Sequence, residues 1–432
     1  MFQSICQLLP LHALLARLTP IANRVKSVRS ATYTYLHTTL MKQTRHDQSG
    51  FSHIIIPLVI VVGIAIYGVY RLVGSHADSP VVAPISDNAV LAADAQSCAH
   101  PHGPFSVSGN HVLDGTGKVF NAYGITVYGL SESNWQQNLS DDETQINDIA
   151  NDWCTNTVRI QIAPYNLLTN VPAGQPYNAA FMTAINDEVS LALHDNMNVV
   201  ITAQTENLGG SPGPTAETVA YWNVLSNYYK GVGNIIFDLF NEPRVKVADS
   251  ANPANSGADT WKLWQDGGVY DGTTYVGMQT LVTDLRQAGI SRTFWVEGPY
   301  SASTLAQVSS YPITGGDVIY DIHHPGGPAT TAQWDADFGT LAATQPVVVG
   351  EWTQFTGGFC WSNAATSIPN FFNYLTAKQI GLVTWTLKPG ILIQGTNLNL
   401  PTNIDSDFTC GSTQDEGAGR LVANYFKAQN SN

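Results

Sequence analysis

The chain has 432 residues, 44% of them apolar, which is enough for one large core and more than one ordinary domain needs. Only 12% are charged, and no Cys-x-x-Cys pair exists among the five cysteines, which argues against a zinc ribbon. Net charge is −14 but unevenly spread: residues 1–77 hold seven Lys/Arg against one Asp, and the rest holds 12 basic against 32 acidic residues. A body at −20 argues against nucleic acid as the main partner.

The chain opens with Arg17, Arg24, Lys26, Arg29, Lys42 and Arg45, then runs from Ile54 to Tyr70 for 17 residues without a charge. That length sits at the lower end of the roughly 17–25 residues that span a bilayer. With Arg71 tolerated, a transmembrane helix is expected over residues 54–73. The basic segment 1–53 falls on the cytoplasmic side and the body outside. Ser75-His76-Ala77 has the small-x-small form of a signal-peptidase site, so release after Ala77 is the alternative. Gly50-Phe51-Ser52 distantly resembles a type IV pilin leader, but Ile55 stands where that leader carries Glu. Residues 74–104 are Pro-, Ala- and Ser-rich and read as a linker.

From Phe105 the pattern changes. Residues 106–120 alternate around Gly and Asn turns and predict a short β-hairpin. Strands are then expected near 119–128, 157–163, 198–204, 235–241, 292–297, 318–323, 346–351 and 381–387. Amphipathic stretches lie between them at 141–153, 179–195, 216–231, 275–289, 333–344 and 366–379, with 417–429 closing the chain. A short helix is expected near 301–308. Strands alternating with helices imply parallel strands and crossover connections. Eight such units over 105–432 predict an α/β fold, a (β/α)8 TIM barrel with an N-terminal β-hairpin, acting as a monomer. A doubly wound open sheet is the rival, and it lacks the Gly-rich phosphate loop usual after its first strand. Outside the cell, Cys98, Cys154, Cys360 and Cys410 are expected to form two disulfides; three pairings are possible, and Cys98–Cys154 with Cys360–Cys410 is favoured because each joins neighbouring segments of the barrel.

The most telling segment is Ile235-Ile-Phe-Asp-Leu-Phe-Asn-Glu-Pro243, an apolar run that ends in a carboxylic acid. Pro346-Val-Val-Val-Gly-Glu-Trp352 repeats that design, placing Glu351 at a second strand tip 109 residues after Glu242. Barrel enzymes carry their chemistry at the C-terminal ends of strands. The other tips offer Arg159, Gln204, Asn241, Glu297 with Tyr300, His323 with His324, and Trp385. Two carboxylates can cleave a glycosidic bond with retention when they lie about 5–5.5 Å apart, one as acid/base and one as nucleophile. A cation such as Arg159 keeps the nucleophile ionised. Asn241 fits the sugar 2-hydroxyl, and the Trp385 indole fits the apolar face of a pyranose. Trp135, Trp261, Trp264 and Trp361 fall in expected loops and are further candidates for sugar platforms. Adjacent His323 and His324 point to opposite faces of a strand, so a shared metal ion is not expected, and the mechanism needs no cofactor.

Asn241-Glu242-Pro243, Glu351, the Trp385 segment Val383-Thr-Trp-Thr-Leu-Lys-Pro-Gly390, and the opening Asn110–Phe120 hairpin followed by Tyr123-Gly-Ile125 together resemble glycoside hydrolase family 5. The resemblance covers about residues 105–430. It implies a retaining β-glycosidase with Glu242 as acid/base and Glu351 as nucleophile. Arg159, Gln204, Asn241, Tyr300, His323, His324 and Trp385 are the implied substrate-binding and supporting residues. An endo-β-1,4-glucanase acting on a β-linked polysaccharide is the first expectation, with β-mannan next. A non-catalytic glycan-binding barrel is the alternative from another class. Two positions depart from the family pattern. Gln204 stands where the family has His after its third strand, and Pro325 stands where it often has Tyr after its sixth.

Overall fold

The computed structural model describes residues 98–245, 258–323, 330–356, 359–361, 363–404 and 415–430. The expected transmembrane segment 54–73, the basic segment before it, His324, Pro325 and Cys410 lie outside the described residues. Among the described residues, no helix is long and apolar enough to cross a membrane.

Eight strands form one closed barrel: β1 (Tyr123–Val127), β2 (Thr157–Ile162), β3 (Asn198–Ala203), β4 (Ile235–Asp238), β5 (Phe294–Glu297), β6 (Val318–His323), β7 (Val347–Trp352) and β8 (Gly381–Thr384). Each pairs in parallel with its chain neighbours, and β8 closes on β1 through Leu382 opposite Tyr123. The longer connecting helices are α1 (Trp135–Asp152), α2 (Ala179–His194), α3 (Ala216–Tyr229), α4 (Met278–Gln287), α5 (Ala364–Lys378) and α6 (Gly419–Asn430).

The alternation of side chains along each strand explains both faces of the barrel. Outward positions such as Val199, Ile201 and Ala203 on β3, or Phe294 and Val296 on β5, are fully buried against the helices. α1 and its C-terminal cap answer with Ile146, Ile149, Ala150 and Trp153, spaced as one helical face. α3 begins on a capping box between Thr215 and Thr218 and turns Tyr221, Trp222 and Leu225 inward. Inward positions change character along the strand axis. Val200, Ile236, Trp295, Ile319, Val348 and Val383 form an apolar layer at the N-terminal end of the barrel. Two residues further on, the same face presents Thr202, Asp238, Glu297 and Asp321.

The hairpin Ser106–Ser108 with His111–Leu113 lies against that apolar end. Phe105 and Phe120 pack ring to ring at 4.4 Å over it. Residues 98–104, assigned to the linker on composition, are instead tied to the barrel. Cys98 is disulfide-bonded to Cys154, the Ala99 N–H donates to the Asn430 carbonyl, and the Gly103 N–H donates to Asn234 Oδ1 at 2.7 Å. The second expected pair, Cys360–Cys410, involves a residue outside the described ones.

Several boundaries differ from expectation. α1 starts at Trp135 rather than 141. The helix expected over 333–344 is broken into a turn at Thr331–Trp334, a wider turn at Asp335–Gly339 and a third at Leu341–Ala343. The fourth crossover holds a short helix (Ala258–Asp266) and an antiparallel hairpin, Gly267–Tyr270 with Thr273–Val276, absent from the predicted elements. Its turn is Asp271-Gly272, both at positive φ (46° and 74°), the dipeptide that such two-residue hairpin turns favour.

Candidate active site

At the C-terminal end of the barrel, Arg159 on β2 organises the site from a fully buried position. Its Nε and Nη2 donate to Asp238 Oδ2 at 3.0 and 2.8 Å. Nη2 also donates to Asn241 Oδ1 at 2.8 Å and to Glu297 Oε1 at 3.0 Å, while Nη1 donates to Glu351 Oε2 at 3.0 Å. One guanidinium therefore binds three carboxylates from three strands. Removing an ion from water costs several kcal/mol, and that cost is offset only when the partners are this complete. The carboxylates push the Arg159 pKa above its ordinary value despite burial, so its charge is permanent.

Register places the acids at two levels. Glu297 pairs with Asp321, and two residues further along β6 His323 pairs with Glu351. The lower pair is completely buried, and burial raises both carboxyls above the usual range, although His323 pulls the other way. Burial alone would lower His323, but Glu297 and Asp321 outweigh it and raise its pKa well above 6.5. The His323 ring reaches upward too, with Nδ1 3.4 Å from Glu242 Oε1. Asp321 accepts the Gly350 N–H at 2.7 Å, and a Cβ built at Gly350 would fall 2.0 Å from Asp321 Oδ2. Glycine at the residue before Glu351 is thus a packing requirement.

Glu242 does not continue its strand. β4 stops at Asp238, short of the expected 241, and Glu242 takes φ +47°, a left-handed conformation costing a non-glycine residue about 1–2 kcal/mol. Local hydrogen bonds hold the turn. The Asn241 N–H donates to the Ala203 carbonyl at 2.9 Å, the Glu242 N–H donates to Glu297 Oε2, and the Ser301 N–H donates to the Pro243 carbonyl at 3.1 Å. The result brings the Glu242 side chain beside Glu351. Carboxylate oxygens of Glu242 and Glu351 and a ring nitrogen of His323 all lie within 4.8 Å of one another.

The two acids face a cleft of about 390 Å³ that is also lined by Gln161, Gln204, Glu206, Asn207, Asn241 and Trp385. Trp385 is partly exposed and stacks on Tyr128, with ring centroids 4.9 Å apart. Six of the residues singled out from sequence are therefore brought together directly: Arg159, Gln204, Asn241, Glu242, Glu351 and Trp385, with His323 immediately beneath. Tyr300 is not among them. It is buried, lies away from the cleft lining, and its hydroxyl has no hydrogen-bond partner among the described residues. Trp135, Trp261, Trp264 and Trp361 are all buried packing residues rather than platforms.

Residues the sequence reasoning passed over complete the site. Gln161 follows Arg159 by two positions, on the same strand face, and its Nε2 donates to Glu351 Oε2 at 3.1 Å and Asn241 Oδ1 at 3.2 Å. Asp238 was legible only as the polar residue inside an apolar run. Glu206 is half-buried in the cleft wall and ion-paired with Arg244. Burial and the nearby Glu242 raise its carboxyl pKa. Two groupings, Glu242/His323/Glu351 and Glu297/Asp321/His323, have metal-ligand composition. Arg159 lies 3.0 Å from a carboxylate of each, so its fixed charge opposes a second cation there.

Residues 113–390 match the family described as Cellulase (glycosyl hydrolase family 5). Endoglucanase A of Butyrivibrio fibrisolvens is 22% identical over 251 residues, 58% of this chain, and the chain spans about half (52%) of the length of that relative. Among solved structures, a β-glucanase of Saccharophagus degradans in complex with cellotetraose superposes with a TM-score of 0.55 at 19% identity, covering 80% of this chain and 99% of the other. The catalytic domain of a Thermobifida fusca endoglucanase superposes with a TM-score of 0.53 at 14% identity, covering 75% and 97%. At these identities the structures share the fold.

Proposed function

The chain belongs to glycoside hydrolase family 5, and from that premise we propose that it is a retaining glycoside hydrolase acting on β-linked glucan, as an endo-β-1,4-glucanase. The observation that carries this reading is the approach of Glu242 and Glu351 oxygens to within 4.8 Å across the cleft. Retaining enzymes separate their carboxyls by about 5–5.5 Å, whereas inverting ones leave about 6.5–9.5 Å for a water molecule.

In the proposed mechanism Glu351 is the nucleophile. Arg159 Nη1 and Gln161 Nε2 both donate to its Oε2, which fixes the direction in which the carboxylate meets the anomeric carbon. Glu242, beside His323, protonates the leaving oxygen. The glycosidic bond breaks as the Glu351–sugar ester forms. Glu242, now ionised, takes a proton from water, and the hydroxide equivalent displaces Glu351 with a second inversion. The Asn241 side-chain oxygen is already held by Arg159 and Gln161, so its amide nitrogen is oriented toward the sugar 2-hydroxyl. Trp385 supplies the stacking face. The choice of glucan is supported by the likeness to Endoglucanase A and to the Saccharophagus β-glucanase. Hydrolysis of cellooligosaccharides followed by NMR tests the reading. The β-anomer should appear first; an initial α-anomer, or cleavage of mannan or xylan in preference to β-glucan, would contradict it.

The proposal extends to location. The uncharged run 54–70 with basic residues before it supports a single membrane anchor with the barrel outside. The Cys98–Cys154 disulfide fits an oxidising compartment. Retention of the full chain in membranes after carbonate washing is expected; a soluble product beginning at Asp78 would instead indicate cleavage.

A further inference from the structure

We infer that Glu297 is a positioning residue that holds Glu242 in its proton-donating posture and ties it to the nucleophile. This rests on the two-carboxylate reading above. Glu297 ends β5 and is entirely buried, so it touches no substrate. Its two oxygens face opposite ways. Oε2 accepts the backbone N–H of Glu242, the residue in the left-handed conformation. Oε1 accepts from Arg159 Nη2 at 3.0 Å and lies 3.3 Å from His323 Nε2. The β5 tip is itself fixed, because the Trp264 indole N–H donates to the Glu297 carbonyl at 2.8 Å.

Two consequences follow from this geometry. The Glu242 amide sits in a buried turn, where a donor without an acceptor is strongly disfavoured. Glu297 supplies that acceptor, so the left-handed turn and the side-chain direction it sets depend on a residue 55 positions away. Arg159 Nη1 holds Glu351 while Nη2 holds Glu297. The path Glu351–Arg159–Glu297–Glu242 therefore fixes the separation of the two reacting carboxyls through side chains that never enter the cleft. A glutamine at 297 cannot reproduce this. If its oxygen keeps the Glu242 N–H, its NH2 confronts Arg159 and the raised-pKa His323, both donors. If it turns over, Glu242 loses its acceptor.

The test separates positioning of the acid from general structural damage. Glu297→Gln is compared with wild type on aryl β-cellobiosides bearing a poor leaving group (phenol) and a good one (2,4-dinitrophenol), which needs little proton donation. kcat/KM for the phenyl glycoside should fall about 100-fold, the low end of what general acid catalysis supplies. That for the dinitrophenyl glycoside, which needs almost none of that proton transfer, should fall at least about ten-fold less, the remaining loss coming from Arg159, which also holds Glu351. An equal fall on both substrates, or no fall on the phenyl glycoside, would overturn the proposal. If E297Q does not yield folded protein, Glu297→Asp is read in the same way, because it keeps the charge but retracts the carboxylate from Glu242. Failure of wild type to cleave either glycoside would instead remove the two-carboxylate reading on which the proposal stands.

Discussion

The two ends of the barrel are built from the same strands and obey opposite rules. At the N-terminal end the inward faces carry Val200, Ile236, Trp295, Ile319, Val348 and Val383, covered by a hairpin and the Phe105–Phe120 pair. The side chains there are held by apolar packing. Two residues along each strand the same faces carry Thr202, Asp238, Glu297 and Asp321, and beyond them His323 and Glu351. There the groups are held by one guanidinium, an imidazole and a backbone turn in an uncommon conformation. A packed layer tolerates loss of chemistry but not of volume, whereas a polar layer tolerates little change in either charge or position. The first end should therefore govern stability and the second activity.

The largest effect expected from this contrast is on turnover. Glu351→Ala should lower kcat by at least about 10⁴-fold, in the range found for removal of other enzymic nucleophiles, with a smaller loss of stability, because Arg159 keeps Asp238 and Glu297 as partners. Equal losses of activity and stability would erase the distinction. The mirror experiment is Phe120→Ala at the opposite end. It should cost about 3–5 kcal/mol in denaturant unfolding, as large-to-small core changes do. Turnover per folded molecule should be unaltered, and a matching fall in kcat would mean that the ends are coupled. Gly350→Ala probes the boundary. A Cβ there meets the Asp321 carboxylate, so either that side chain or the strand beside Glu351 must shift. A destabilisation of about 1–3 kcal/mol with a clear drop in activity is expected; a silent substitution would show that Gly350 has room.

The smallest effect concerns a buried acid away from both ends. Asp142 on α1 faces Glu188 on α2, and burial first of all pushes the Asp142 carboxyl up to about 7, with Glu188 raised as well. An acid whose folded pKa lies above its unfolded value near 3.8 binds its proton more tightly when folded. Stability is therefore highest below pH 4 for this group, declines above it, and reaches its full loss once pH passes about 7. Asp142→Asn should flatten the fall in thermal midpoint between pH 5 and 8, measured by calorimetry. An unchanged slope would assign the pH dependence elsewhere.

How much of this was legible in the chain depends on the kind of information. The eight strands follow from apolar runs bounded by turns, and the paired acids from their places at run ends. Inward parity was also readable: Arg159 and Gln161, or Trp295 and Glu297, are two apart. What could not be read is the level at which each strand stops. Glu297 ends β5 and Glu351 is the last residue but one of β7, yet register buries one beside Asp321 and places the other at the cleft with His323. The left-handed turn at Glu242 was equally hidden, because its cause is a hydrogen bond from a distant strand. Tyr300 was drawn to the site by proximity in sequence to Glu297, but a turn at Pro299–Ala302 with left-handed backbone at Tyr300 and Ser301 carries it into the packing. The four tryptophans placed in loops were misjudged because three of them lie on helices, Trp135 at the start of α1 and Trp261 and Trp264 on the short helix Ala258–Asp266, and all four are buried.

The most direct measurement is trapping with a 2-deoxy-2-fluoro β-cellobioside bearing a dinitrophenyl leaving group, followed by peptide mass spectrometry. One stable fluorocellobiosyl ester is expected on Glu351, formed in wild type and absent in Glu351→Ala. Labelling of Glu297, Glu206 or Glu242 instead, or hydrolysis of β-glucan with no covalent species on Glu351, would contradict it.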